Sequence, residues 1–324
     1  MYNQFQLKDF VDTAIANLSF ETEAEKLVEP VRYILSIGGK RLRPVLTLMA
    51  CNLFNDKIDD AIMPAAGIEI FHNFTLVHDD IIDHAQVRRN VPTVHIRWNI
   101  NQAILSGDVM AFVANECMLQ TPPGYLTKVF RTFNKAAIEV CAGQQKDMDF
   151  EKAATVTQDQ YIRMIELKTA VLVAASVKIG AIIGGAGEKD TNHLYEFGRN
   201  LGLAFQIQDD LLDIYGDANV FGKITGGDII TNKKTFLLVK ATELASGTQL
   251  KRLQKLFSEK DPDTEMKVKS VVEIYDQLNV KKLTETLANE YIGVAFNCLE
   301  KISLAGERKK ELTQLANDLI GREK

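Results

Sequence analysis

Apolar residues recur at i, i+3 and i+4 through most of the chain. VEPVRYILSI, RPVLTLMACNLF, AIMPAAGIEIFHNFTLVHDDIID and AILSGDVMAFVANECML all carry this helical period, and no convincing period-two strand interrupts them. The pattern predicts a single all-α domain over residues 1–324, built from about a dozen helices. Pro44, Pro64, Pro92, the Pro122–Pro123 pair and Pro262 suit helix starts or joints, and Pro30 suits the first turn of its helix. Residues 216–234, GDANVFGKITGGDIITNKK, hold four glycines and little helical period. They read as a functional loop rather than a domain boundary. The most apolar window, TAVLVAASVKIGAIIGGAG at 169–187, has Lys178 in its middle. That favours a buried helix over a transmembrane segment.

Charge and cysteine usage narrow the classes. A net charge of -5 and a pI near 5.7 give no reason to expect a nucleic-acid partner. Cys51, Cys117, Cys141 and Cys298 are scattered without a CxxC pair, which argues against a disulfide framework or zinc site and fits a reducing cytoplasm. The N-terminus, MYNQFQLKDF, does not read as a signal peptide.

One stretch breaks the amphipathic pattern. LVHDDIIDHAQVRRN, residues 76–90, continues an apolar helix with Asp79, Asp80 and Asp83, then adds Arg88 and Arg89. FQIQDDLLDIYGD, residues 205–217, repeats the D-D-x-x-D form with Asp209, Asp210 and Asp213. In each cluster the first and last aspartates share a helix face, and the middle one lies about 100° round. Like charges at i, i+4 and the poor helix propensity of aspartate both disfavour the arrangement. A lone cluster could be a solvated face. Two clusters, each continuing an apolar helix, suggest facing carboxylates that hold a hard divalent cation. Mg²⁺ binds through one or two carboxylates plus substrate phosphates, so a Mg²⁺-bridged polyphosphate is the expected ligand. IGGKRLRP, residues 37–44, supplies a Gly-Gly turn opening a helix with Lys40, Arg41 and Arg43, a favourable setting for an anion. Lys168, Thr169, Lys223 and Lys233 are further candidates, although each lone lysine is as well explained by an ordinary surface position.

Taken in order, GGKRLRP, HDDIID followed by RR, SGD at 106–108, ELKTA at 166–170, FQIQDDLLD and FGKITGGD resemble the trans-isoprenyl diphosphate synthases, or polyprenyl synthetases. The resemblance runs from about residue 30 to the C-terminus. It implies an isoprenoid-synthase-like helical bundle around a deep central cavity, usually homodimeric. It also implies head-to-tail condensation of isopentenyl diphosphate with an allylic diphosphate (dimethylallyl, geranyl or farnesyl) and release of pyrophosphate. By the same resemblance, Asp79, Asp83, Asp209 and Asp213 are the ligands of three Mg²⁺ ions, with Asp80 and Asp210 completing the clusters. Arg88, Lys168, Thr169, Gln206, Lys223 and Lys233 contact the allylic diphosphate, while Lys40, Arg43, His72 and Arg89 take isopentenyl diphosphate. The late loop departs from the family pattern: Asn232 stands for a glycine and Leu237 for a proline. Asparagine tolerates left-handed backbone, so the turn is expected to persist.

Product length is read from the helix before the first cluster. Phe74 and Phe71 lie five and eight residues ahead of Asp79, about 7.5 and 12 Å deeper along a helix. Both could be ordinary core aromatics. The resemblance instead makes an aromatic at Phe74, beside the non-aromatic Thr75, a floor typical of short-chain enzymes. It favours a geranylgeranyl (C20) product, with farnesyl (C15) or longer chains as alternatives. A class I terpene cyclase and a non-catalytic partner subunit are more remote readings. The retained aspartates and GGKRLRP speak against both.

Overall fold

The structure is a computed structural model that describes residues 1–20, 23–216, 226–259 and 263–321. It is all-α, as the hydrophobic period predicts, and its contacts gather into two compact units.

The first unit comprises Met1–Ala137, Ala175–Tyr195 and Ile302–Leu312. Helix Gln4–Ala16 starts at Asn3, whose side chain accepts from the Gln6 amide while Gln6 reaches back, a capping box. Its buried stripe is Leu7, Val11 and Ile15, at i, i+4 and i+8. Helix Leu42–Phe54 is buried along nearly its whole length, and helix Asp59–Ile82 packs most extensively on helix Ile100–Leu119. Pro30 differs from expectation: it is the sixth residue of helix Glu25–Ser36, not in its first turn. A proline there cannot donate to the carbonyl four residues back. Gln102 Nε2 donates to that Lys26 carbonyl instead, at 2.6 Å, which explains why the helix tolerates it.

A short hairpin is also absent from the hydrophobic pattern. Val87–Arg88 pairs antiparallel with Val91–Pro92, Val87 opposite Pro92 and Arg88 opposite Val91. The two linking residues, Arg89 and Asn90, have φ of 52° and 65°. Two positive φ values in a two-residue loop match the twist of a hairpin, and strands this short carry no periodic signal.

The second unit comprises Ile138–Ala174, Glu196–Lys301 and Thr313–Lys324. Tyr161, Ile165, Leu203, Ile207 and Phe236 form one buried cluster. Leu237, Ile229, Val271 and Tyr275 belong to another. Leu237 is fully buried, so its side chain fills core where a proline would leave a gap. Asn232 has φ of 60°, the left-handed turn expected of it, and its Oδ1 accepts from the buried Lys267 at 2.6 Å. Residues 217–225, with Lys223, and Pro262 lie outside the described residues. Among the described residues no helix is long and apolar enough to cross a membrane.

Candidate active site

In the first unit, helix Asp59–Ile82 ends directly after its acidic cluster. His84 takes φ of 53°, its amide donates to Ile81 O at 3.3 Å, and the Ala85 amide donates to Asp80 O at 2.9 Å. This Schellman closure stops the helix with Asp79 in its final turn and Asp83 as its C-cap. Carboxylates there face the negative end of the helix dipole, which adds to the case for a cation. Asp80 differs from its neighbours. It is 1% exposed and accepts from Arg88 Nε at 3.0 and 2.9 Å and from Arg88 Nη2 at 2.7 Å. Arg88 is thus anchored by Asp80 and stays partly exposed.

A basic cluster lies in the same unit. Gly38 and Gly39 have φ of 77° and 150°, and Arg89 Nη1 donates to Gly38 O. Gly39's φ favours glycine, and a Cβ there would stand 2.8 Å from Arg89 Nη1 and push the guanidinium aside. Arg43 Nη1 donates to His72 Nε2 at 3.1 Å. A guanidinium has no acceptor, so the His72 ring proton sits on Nδ1. Burial holds His72 well below the usual imidazole range, and Arg43, Arg89, Arg88 and Arg41 push it the same way. Burial also lowers Arg43, whose Nε is buried with no hydrogen-bond partner among the described residues. Arg41 is engaged elsewhere, in contacts with Asp12, Glu69 and Leu35. A neutral histidine among arginines, with an orphaned guanidinium nitrogen, is chemically a site for an anion.

Phe71 packs tilted against Phe74 at 5.4 Å and edge-on against Phe133 at 5.3 Å, while Phe74 meets the His78 ring edge-on at 4.8 Å. His78 Nε2 lies 3.2 Å from Ile104 O, fixing that ring. Thr75 Oγ1 donates to His72 O. Phe133 is invisible to sequence reasoning because it comes from another helix.

In the second unit, residues Glu166–Ala170 form a π-helical turn, closed by the Val171 amide on Glu166 O. The turn sends Lys168 and Thr169 to different partners. Lys168 Nζ pairs with Asp147 at 2.6 Å, while Thr169 Oγ1 donates to Gln206 Oε1 at 3.0 Å. Helix Pro123–Lys152 approaches closely here: a Cβ on Gly143 would stand 2.3 Å from the Lys168 amide nitrogen. Asp147 was missed in the sequence; the G-Q-Q-K-D run that carries it could have raised it. Neighbouring Gln144 Oε1 is buried without a partner among the described residues.

The second acidic cluster lies on helix Glu188–Tyr215, with Asp209 exposed. Asp210 is 3% exposed and accepts from the Tyr161 hydroxyl, from Gln206 Nε2 at 3.0 Å and from the Phe236 amide at 3.4 Å. Burial, followed by the Asp228 carboxylate, pushes Asp210 up to about 7. Asp213 Oδ2 accepts from the Asp228 amide at 2.9 Å, at the start of helix Gly227–Ile230. Lys233 Nζ lies 3.6 Å from Asp228. Among the described residues no group of three or more His, Cys, Asp or Glu side chains could by itself hold a metal ion. The donors on offer are carboxylate oxygens, which suit Mg²⁺ when substrate phosphates complete its shell.

Helical architecture, paired acidic clusters and a basic anion site define a class of diphosphate-handling enzyme, and comparison with known proteins places the chain in it. Residues 24–275 match the polyprenyl synthetase family, and the chain belongs to that family. It is 36% identical to a geranylgeranyl diphosphate synthase of Methanosarcina mazei, covering 97% of this chain and 95% of that one. A geranylgeranyl pyrophosphate synthetase from Pyrococcus horikoshii Ot3 superposes with a TM-score of 0.92 at 35% identity, over 99% of this chain and 98% of that one. A decaprenyl diphosphate synthase from Rhodobacter capsulatus superposes at 0.88 with 30% identity, over 99% and 97%. The fold is therefore similar to that of enzymes named for different product lengths.

Proposed function

We propose that this chain condenses isopentenyl diphosphate head-to-tail with allylic diphosphates to give an all-trans prenyl diphosphate, geranylgeranyl diphosphate (C20). The observation that carries the reading is the basic cluster around Arg43, with its orphaned Nε and neutral His72. A terpene cyclase, which takes one diphosphate, has no use for a second anion site.

In this reading Lys40, Arg43, His72 and Arg89 hold isopentenyl diphosphate. Arg88, Lys168, Thr169, Gln206 and Lys233 hold the allylic diphosphate, as does Lys223. Asp79, Asp83, Asp209 and Asp213 are the residues that would hold Mg²⁺. Three bound ions would neutralise charge on the departing pyrophosphate. The fixed cations of the chain add to that stabilisation without reorganising during the reaction. As the allylic C–O bond breaks, the isopentenyl double bond attacks the cation and a proton then leaves, with the pyrophosphate as its acceptor. Apolar walls that keep water out protect the cation. Phe74, packed against the Phe71 and His78 rings, is the floor that ends growth.

The whole chain would act as one polyprenyl synthetase domain, in the cytoplasm and as a homodimer. Four free cysteines fit a reducing compartment. Helix Ile100–Leu119 exposes Leu105, Phe112 and Leu119 at seven-residue spacing, an apolar stripe suited to a second copy. Sedimentation would report the dimer. The decisive assay supplies radiolabelled isopentenyl diphosphate, each allylic primer and Mg²⁺, and resolves the products by chromatography. C20 is expected, and Phe74→Ala should lengthen the product; an unchanged distribution would remove Phe74 as the floor. Release of a hydrocarbon from geranylgeranyl diphosphate alone would indicate a cyclase.

A further inference from the structure

Helix Gln4–Ala16 lies ahead of residue 24, where the family match begins, yet one of its side chains reaches the basic cluster. Asp12 Oδ1 accepts from Arg41 Nε at 2.9 Å. Arg41 Nη1 donates to Glu69 Oε1 and Nη2 to Leu35 O, each at 2.8 Å. The Arg41 side chain is 3% exposed, and its backbone is left-handed at φ 49°. That conformation is strained for a non-glycine residue, so it persists only where surrounding contacts hold it. Arg41 lies between Lys40 and Arg43 and starts the helix that carries Arg43.

Electrostatics gives the arrangement a second consequence. Glu69 is close enough to Arg43 and Arg89 to favour their charged forms. Glu69 Oε1 accepts from Arg41 Nη1 and from Asn73 Nδ2, and Glu69 forms no ion pair with Arg43 among the described residues. Asp12 completes the set of partners that keeps Arg41 in place.

We propose that Asp12 and Arg41 are positioning residues for isopentenyl diphosphate: the N-terminal helix locks the left-handed turn that presents Lys40 and Arg43 together, and keeps Glu69 engaged. The inference rests on the condensation reading above. Asp12→Asn should raise the KM for isopentenyl diphosphate about tenfold, with kcat and the allylic KM within about twofold. Asp12→Glu should recover part of the loss. Lys8→Ala, which removes a partner of Asp12 but not of Arg41, should change neither KM. Circular dichroism and the unfolding midpoint are read on the same samples. A merely structural role would depress the midpoint and impair both substrates equally, and that result overturns the proposal, as does an unchanged isopentenyl diphosphate KM. Calorimetric titration of isopentenyl diphosphate without metal adds a readout independent of turnover. If the wild-type protein binds it but does not condense it, the condensation reading fails. Weaker binding by Asp12→Asn would still support the positioning role, and equal binding would end it.

Discussion

The two D-D-x-x-D clusters are alike in sequence and unlike in their surroundings. In both, the middle aspartate turns away from its neighbours and into the protein. Asp80 meets a full positive charge, the Arg88 guanidinium, and its hairpin carries Arg89 on to the Gly38–Gly39 turn. Among the described residues, the hydrogen-bond donors to Asp210 are neutral: a tyrosine hydroxyl, a glutamine amide and a backbone N–H. Burial and the Asp228 carboxylate raise Asp210 against the pull of Lys233 and its dipolar donors, whereas Asp80 is tied directly into an ion pair. One motif is thus an electrostatic joint to the basic cluster, and the other a hydrogen-bonded brace linking Thr169, Gln206 and Tyr161.

The largest expected effects concern what the clusters share. Asp79→Ala and Asp209→Ala should each lower kcat/KM by at least ~10³-fold while circular dichroism stays unchanged. Near-normal turnover in either would detach that cluster from the reaction. The difference between the clusters is tested by their middle residues. Asp80→Asn leaves Arg88 facing an amide and should cost about 3 kcal/mol of stability in urea titrations. Asp210→Asn keeps an oxygen for Tyr161 and Phe236 but turns its NH2 toward the Gln206 amide, and should cost about 2 kcal/mol. The reverse ranking would break the comparison.

The cation-rich side should also show in pH dependence. The folded His72 pKa lies below its ordinary 6.5, so the unfolded chain takes up a proton first as pH falls. Stability should therefore drop with decreasing pH from 6.5 down to that depressed value, by at most ~1.4 kcal/mol per pH unit, and His72→Gln should flatten the slope. Smallest, Tyr161→Phe removes one donor from Asp210 and should cost about 1 kcal/mol, read as a shifted urea midpoint.

Much of this was legible because it is local. Helical period, paired acidic clusters and the left-handed Asn232 all follow from residues near one another in sequence. What stayed hidden depends on partners far along the chain. GGKRLRP offers three cations of equal promise, and only the fold shows Arg41 spent on Asp12 and Glu69 while Arg43 keeps an open nitrogen. Lys168 looked like a lone lysine until Asp147 was placed against it. Pro30 misled in the same way, since its missing hydrogen bond is replaced by Gln102, from a different helix.

The turn at Glu166–Ala170 bears on how the chain can vary in length. A π-helical turn holds one residue more than the α-helical ladder requires. Deleting a single residue there would restore a continuous α-helix and remove the widened turn that sets Lys168 and Thr169 toward different partners. Lys168 and Thr169 could then no longer face Asp147 and Gln206 together. A one-residue deletion, harmless in a surface loop, should at this point uncouple two parts of the site without altering any side chain.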